Sequence, residues 1–155
     1  MIGAIVNFMS LLLTSLLVGA MFGAWLMLQP GGREAATYVL LQQTAIRALN
    51  DVLPALGALA LLATLFAALA AFQDRTRLIM LAAASVCLVA AGIITRVANQ
   101  PINAVVMTWA ASAPPAEWTT LRDQWWSWHV SRLALGLIAF ALIIAPRCAG
   151  AEASR

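Results

Sequence analysis

The chain has 155 residues, 63% of them hydrophobic and 10% charged, a formal net charge of +3 and a single histidine, with a mean hydropathy of +0.91. A soluble domain carries about 25% charged residues, so water is not the main solvent of this chain. It has no strongly basic tract, P-loop or glycine-rich phosphate cradle, which excludes nucleic acid and nucleotides as partners.

The apolar residues fall into four blocks, which predicts one all-α domain, an integral membrane four-helix bundle with spans near 3–28, 52–72, 78–97 and 127–145. The first block, Ile2 to Leu28, contains no charge. A bilayer core of about 30 Å needs only about 20 helical residues at about 1.5 Å each, so this block spans with room to tilt. A cleaved secretory signal is the competing reading; the missing basic n-region and an apolar run about twice the usual length weigh against it. Ser15, Gly19 and Gly23 repeat at i, i+4, i+8, a small-residue stripe that permits close helix packing. It reads as a packing seam rather than a site, and as the face for a homo-oligomer if one forms.

An amphipathic stretch begins near Thr37, and along it Gln43, Arg47, Asn50 and Pro54 follow i, i+4, i+7, i+11, one polar stripe. The second block, Val52 to Phe72, is bounded by Asp51 and by Gln73, Asp74, Arg75 and Arg77. The third runs from Leu78 to about Thr95 and is closed by Arg96. Beyond it Arg96, Asn99 and Asn103 repeat as i, i+3, i+7 if the helix persists. Pro101 lacks an amide donor and clashes with the preceding turn, so a kink or stop is expected near Asn99, leaving the two amides to line a cavity. Cys87 lies mid-span and Cys148 near the end of the chain, so no CxxC pair or thiolate metal set exists.

The fourth block is purely apolar only from Leu133 to Ala145. That run reaches about 20 Å, so the helix must draw about 6 or 7 residues from Trp126 to Arg132. An arginine at that depth costs about 2.5 to 3.5 kcal/mol unless it snorkels or finds a partner. Two readings stay open: Arg132 snorkels beside a His129 that lies in the headgroup zone, or both face the bundle interior. In favour of the second, Trp125, His129, Arg132 and Gly136 follow i, i+4, i+7, i+11 and form one stripe leading into the bundle. Asn99, Asn103 or a carboxylate such as Asp51 is the expected partner of Arg132.

The connectors are unequal. Segments 29–51 and 98–127 share one face, and only the Gln73 to Arg77 turn lies on the other. Following the chain back and forth puts all six tryptophans, Trp25, Trp109, Trp118, Trp125, Trp126 and Trp128, on or near the long-loop face. Ordinary aromatic belts divide such residues between both interfaces. This is either a one-sided belt or an aromatic-lined mouth for a flat apolar ligand. The basic residues are all arginine: Arg75, Arg77, Arg147 and Arg155 on the short-turn face, Arg33, Arg47, Arg96, Arg122 and Arg132 on the tryptophan face. Raw counting does not decide orientation. Glu34, Asp51, Glu117 and Asp123 offset arginines on the tryptophan face, whereas Arg75 and Arg77 crowd a tight turn, so both termini are expected in the cytoplasm.

The segments Asn99-Gln-Pro-Ile-Asn103 and Trp125-Trp-Ser-Trp-His129-Val-Ser-Arg132, preceded by Gln42-Gln43-Thr-Ala-Ile-Arg47, resemble the landmarks of a four-helix membrane family that includes fungal anthrone oxygenases. The resemblance covers essentially the whole chain in span order and spacing. It implies oxidation of an anthrone-like polycyclic aromatic to a quinone by molecular oxygen, with no metal or organic cofactor. His129 would then be the base, and Arg132, Arg96, Asn99 and Asn103 the clamp for an enolate oxygen. Trp125 would stack on the rings, with the Gln43 to Arg47 segment completing the substrate site. One histidine and scattered carboxylates do not supply a three- or four-ligand metal set. The alternative class is a non-enzymatic accessory subunit, or a binder of lipid or quinone. A proton-coupled exporter is disfavoured because Asp51, Asp74, Glu117 and Asp123 all lie at or outside the span ends.

Overall fold

A computed structural model describes residues 2–152. Arg155, and the side chains of Arg147 and Cys148, which entered the charge and cysteine readings, lie outside the described residues. The chain is an all-α membrane four-helix bundle: four of its helical rods are long and apolar enough to cross a bilayer. Its elements are α1 (Ile2–Met27), α2 (Ala35–Leu49), α3 (Val52–Ala70), α4 (Arg75–Ile94), a π-helical turn (Thr95–Asn99), α5 (Gln100–Val106) and α6 (Trp118–Glu152). The spans alternate in direction, with α2 and the 107–117 loop on one face and the α3–α4 turn on the other. In that turn the Asp74 carboxylate accepts the Arg77 amide at 3.1 Å and caps α4.

Two boundaries differ from the sequence-based expectation. The third rod does not stop at Asn99 but continues to Val106, and the disturbance expected near Asn99 takes the form of a π turn. The Gln100 amide bonds back to the Thr95 carbonyl, five residues earlier. Pro101 cannot donate, and its ring would strike the carbonyl of the preceding turn; one wider turn relieves both problems without ending the helix. The fourth rod begins at Trp118 rather than near the expected span start at 127, so the helix that carries Trp125, Trp126 and Trp128 extends further into the long-loop face.

The bundle packs on small side chains. Ala60, Ala67, Ala84 and Ala139 are fully buried and let the rods approach closely. Ser10 and Thr64 share a hydrogen bond of 2.9 Å between α1 and α3. Large apolar residues such as Phe8, Phe66, Leu69 and Val86 point outward, which in water would be a fault and in a bilayer is the required surface. Gly19 and Gly23 also face outward, and an added Cβ at either meets nothing within 4 Å.

Gly136 is different. A Cβ built there would lie 3.2 Å from Val18 Cγ2 and 3.8 Å from Met21 Cε, so this glycine sets how closely α1 approaches α6. Gly136→Leu is therefore expected to destabilise the bundle by about 1–3 kcal/mol through overpacking. The smaller defect of Gly136→Ala should be relieved by Val18→Ala, measured as unfolding midpoints in detergent. Equal midpoints for all variants would show that the approach is not tight.

Candidate functional site

The stripe on α6 enters the bundle where α1, α6 and the π turn meet. His129 is fully buried and Arg132 is 8% exposed. Trp125, one turn earlier, lies face to face with the imidazole, with ring centroids 4.8 Å apart and planes 6° from parallel. Its indole also has the guanidinium carbon at 5.9 Å. The i, i+4, i+7 spacing thus builds a ladder of indole, imidazole and guanidinium within one helix.

The hydrogen bonds fix the protonation pattern of the imidazole. Arg132 Nε and Nη2 both donate to His129 Nδ1, at 3.2 and 2.9 Å. A guanidinium only donates, so Nδ1 must hold a lone pair. The ring hydrogen is then on Nε2, which donates to the Met21 carbonyl of α1 at 3.0 Å. Arg132 Nη1 donates to Thr95 Oγ1 at 3.3 Å, and Thr95 in turn donates to the Ala91 carbonyl at 2.8 Å. Arg132 faces protein, but its partners are His129 and Thr95 rather than the expected Asn99, Asn103 or Asp51. Asp51 is exposed at the start of α3.

The amides expected in a clamp are tied up in joining elements. Asn99, fully buried, donates to the Trp125 carbonyl at 3.1 Å. Asn103 donates to Asn50 Oδ1 at 3.0 Å and accepts the Trp125 indole N–H at 2.8 Å. Gln43 Nε2 donates to the Val106 and Trp109 carbonyls at 3.0 and 2.9 Å, closing the end of α5, whose last carbonyls have no helical partner. Arg96 is exposed and bonds Gln100 Oε1 at 2.9 Å. Arg47 is exposed at the end of α2, apart from the ladder. The tryptophan face is a packed roof: Trp25 stacks between Phe22 and Trp126, and Tyr38 packs on Trp118. Burial pushes the Tyr38 phenol above the usual tyrosine range, so it stays neutral on the buried face of α2.

The large cavity lies below this roof. A groove of about 590 Å³ runs between α3 and α4, floored by α1, with Leu17, Met21, Gly57, Leu61, Leu88 and Gly92 among its walls. Arg132 and Thr95 lie at its inner end, Arg96 and Gln100 at its upper rim. Ala58, Val89, Gly92 and Ile93 at its sides are exposed, so it opens sideways between the rods. Of the expected site residues, only Arg132 and Arg96 line it. A second chamber, about 30 Å³, lies on the other side of Arg132 under α2 and is lined by Gln42, Asn50, Asn103 and Trp125. Among the described residues no group of three His, Cys, Asp or Glu side chains lies close enough to hold a metal.

Sequence reasoning missed Thr95, the Met21 carbonyl and Gln42. Thr95 already lay within the expected third span, and its i−4 spacing from Asn99 puts it on the same stripe. The carbonyl leaves no trace in residue type.

A family-wide sequence profile described as Anthrone oxygenase matches residues 42–142, from α2 into the second half of α6. No curated protein and no solved structure matches the chain.

The ladder makes a thermodynamic prediction. His129→Leu leaves a buried guanidinium short of its acceptor, at a cost of about 1.5–3 kcal/mol, and Arg132→Leu strands a buried lone pair at about 1–3 kcal/mol. The double variant strands neither group, so it should cost clearly less than the sum. Unfolding of the four proteins in one detergent measures this; additive losses would mean that the two residues are not coupled.

Proposed function

The chain belongs to the anthrone oxygenase family, and from that premise we propose that it is a membrane-embedded oxygenase that takes a flat, anthrone-type aromatic from the bilayer and oxidises it with molecular oxygen. The observation that carries this reading is the lateral groove. Its volume falls in the usual range for small-molecule sites, about 300–1,000 Å³, and its walls are apolar except where Arg132, Arg96, Thr95 and Gln100 enter. A polycyclic ketone slides in from the lipid side with its oxygen leading and brings that oxygen to Arg132. Three of the five guanidinium N–H groups are held by His129 and Thr95, which leaves one on each terminal nitrogen and so at least one for a ligand oxygen in an orientation already set.

The chemistry asked of the protein is charge stabilisation. Loss of a proton from the ring CH₂ leaves an enolate whose oxygen carries the charge, and a fixed cation in a water-poor site favours that state strongly. The enolate gives its electrons to O₂ and forms a carbon–oxygen bond. The peroxide anion takes back the proton lost from the ring, and the hydroperoxide then loses water, so that CH₂ and O₂ become C=O and H₂O. Dioxygen is the oxidant, and the reaction needs no metal. Both ring nitrogens of His129 are engaged, one by Arg132 and one by Met21, and the imidazole does not line the groove. These facts support His129 as a positioning residue that aims the guanidinium, rather than as the base. On the same reading both termini lie on the cytoplasmic side, the side of Arg75 and Arg77.

Oxygen uptake in nanodiscs with an anthrone substrate tests this, with and without a chelator. Wild-type protein should consume one O₂ per quinone formed and ignore the chelator. Arg132→Leu should lower kcat/KM by about 10²–10³, the usual effect of removing an oxyanion partner. Glutamine can accept from Arg132 and donate to Met21 as the imidazole does, so His129→Gln should keep most of the rate. A fall of about 10²–10⁴ with His129→Gln would instead restore the histidine as base. Wild-type protein that binds no polycyclic aromatic and consumes no oxygen would leave the accessory-subunit or lipid-binding reading.

A further inference from the structure

The small chamber under α2 has a wall with unmet hydrogen bonds. Gln42 is fully buried, and neither its amide nitrogen nor its amide oxygen has a partner. Leaving both dry would cost several kcal/mol, yet this residue faces a chamber of about 30 Å³ that Asn50, Asn103, Thr95 and Arg132 also line. A chamber needs roughly 10–15 Å³ of this kind of space to hold one water, and the water needs two to four polar partners. Both conditions are met. Asn50 spends its oxygen on Asn103 and its amide nitrogen makes no bond to protein among the described residues, while Arg132 keeps N–H groups beyond those given to His129 and Thr95. The wall therefore offers donors from Gln42, Asn50 and Arg132 and one acceptor, the Gln42 oxygen, which suits the two lone pairs and a hydrogen of water. Half-buried Asn50 and exposed Pro54 mark the way out to the tryptophan face.

We propose that this chamber is a water site that bridges the Gln42 amide to the Arg132 guanidinium and links the inner end of the groove to the interface. Arg132, Thr95, Leu53 and Pro54 line both compartments, so the guanidinium is the partition between an apolar space open to lipid and a polar space open to water. The proton role rests on the oxygenase reading: the proton lost from the ring CH₂ needs a polar group to hold it until the peroxide takes it back, and the water released from the hydroperoxide needs a polar exit, neither of which a groove facing hydrocarbon provides. In that role the C–H bond breaks, its electron pair stays on the enolate, and the chamber water holds the proton until the peroxide formed with O₂ takes it back.

The test uses the full-length protein in nanodiscs with nitrogen-15 labelling and water-selective NMR transfer. The Gln42 side-chain amide hydrogens should show direct magnetisation transfer from water. Side-chain amide hydrogens that receive none and resist deuterium exchange for hours would overturn the water site. The volume-matched Gln42→Met variant should fold with an unfolding midpoint no lower than wild type and bind the polycyclic ketone unchanged. It should turn over at least about tenfold more slowly with a larger solvent deuterium isotope effect, a smaller loss than the about 10²–10⁴ of a positioned general base. Unchanged turnover and isotope effect would overturn the proton role. Wild-type protein that shows the water transfer but consumes no oxygen would refute the oxygenase reading while upholding the water site.

Discussion

A guanidinium held inside a helix bundle, away from bulk water, is the constraint to which the rest of this structure answers. Arginine at the centre of a membrane helix costs about 2.5–3.5 kcal/mol on insertion scales, and the charge persists only where donors find acceptors. The acceptors come from two directions. His129, one turn earlier on α6, gives Nδ1, and Thr95, on the π turn, gives its hydroxyl oxygen. Each is held by something further away. The imidazole is pinned by the Met21 carbonyl and by the Trp125 face. The carbonyl is within reach because Gly136 lets α1 come close to α6. One charge thereby fixes the relative placement of α1, α6 and the α4–α5 rod.

That arrangement divides labour between the two layers above and below the ladder. Above it, amides and indoles bind elements together: Gln43 to the end of α5, Asn103 to Asn50 and Trp125, Asn99 to the Trp125 backbone. This layer is a roof, and its aromatic residues are stacked on one another rather than turned toward an open mouth. Below it, small and aliphatic side chains line the lateral groove. The proposed route for a hydrophobic substrate is through the side of the bundle, where the bilayer already concentrates it, with the polar roof confining water to the chamber under α2.

The bundle itself was legible because bilayer thickness sets span length and because charges mark span ends. What misled at the third rod was a sound local rule applied without its exception: Pro101 does disturb the helix, but a wider turn absorbs it, and α5 carries on. The ladder of Trp125, His129, Arg132 and Gly136 was readable from helical spacing alone, since all four lie on one continuous helix. The partners of Arg132 were not, because they come from other helices and one link is a backbone carbonyl. The asparagines were read as lining a cavity, and as a clamp only through the family resemblance; which groups they face depends on helix rotation, and the inserted π turn sets that rotation for Asn99 and Asn103. The groove was invisible for a related reason, being made of gaps between small residues such as Gly57 and Gly92 on different helices.

The central claim is that the ligand's oxygen meets Arg132 inside the α3–α4 groove, and a structure in nanodiscs with a bound polycyclic ketone tests it most directly. The account predicts the rings between α3 and α4 and the ketone oxygen within hydrogen-bond distance of the guanidinium, with the contacts of Arg132 to His129 and Thr95 kept. Rings found among Trp25, Trp118 and Trp126, or a groove filled by an acyl chain while the ketone binds elsewhere, would contradict it.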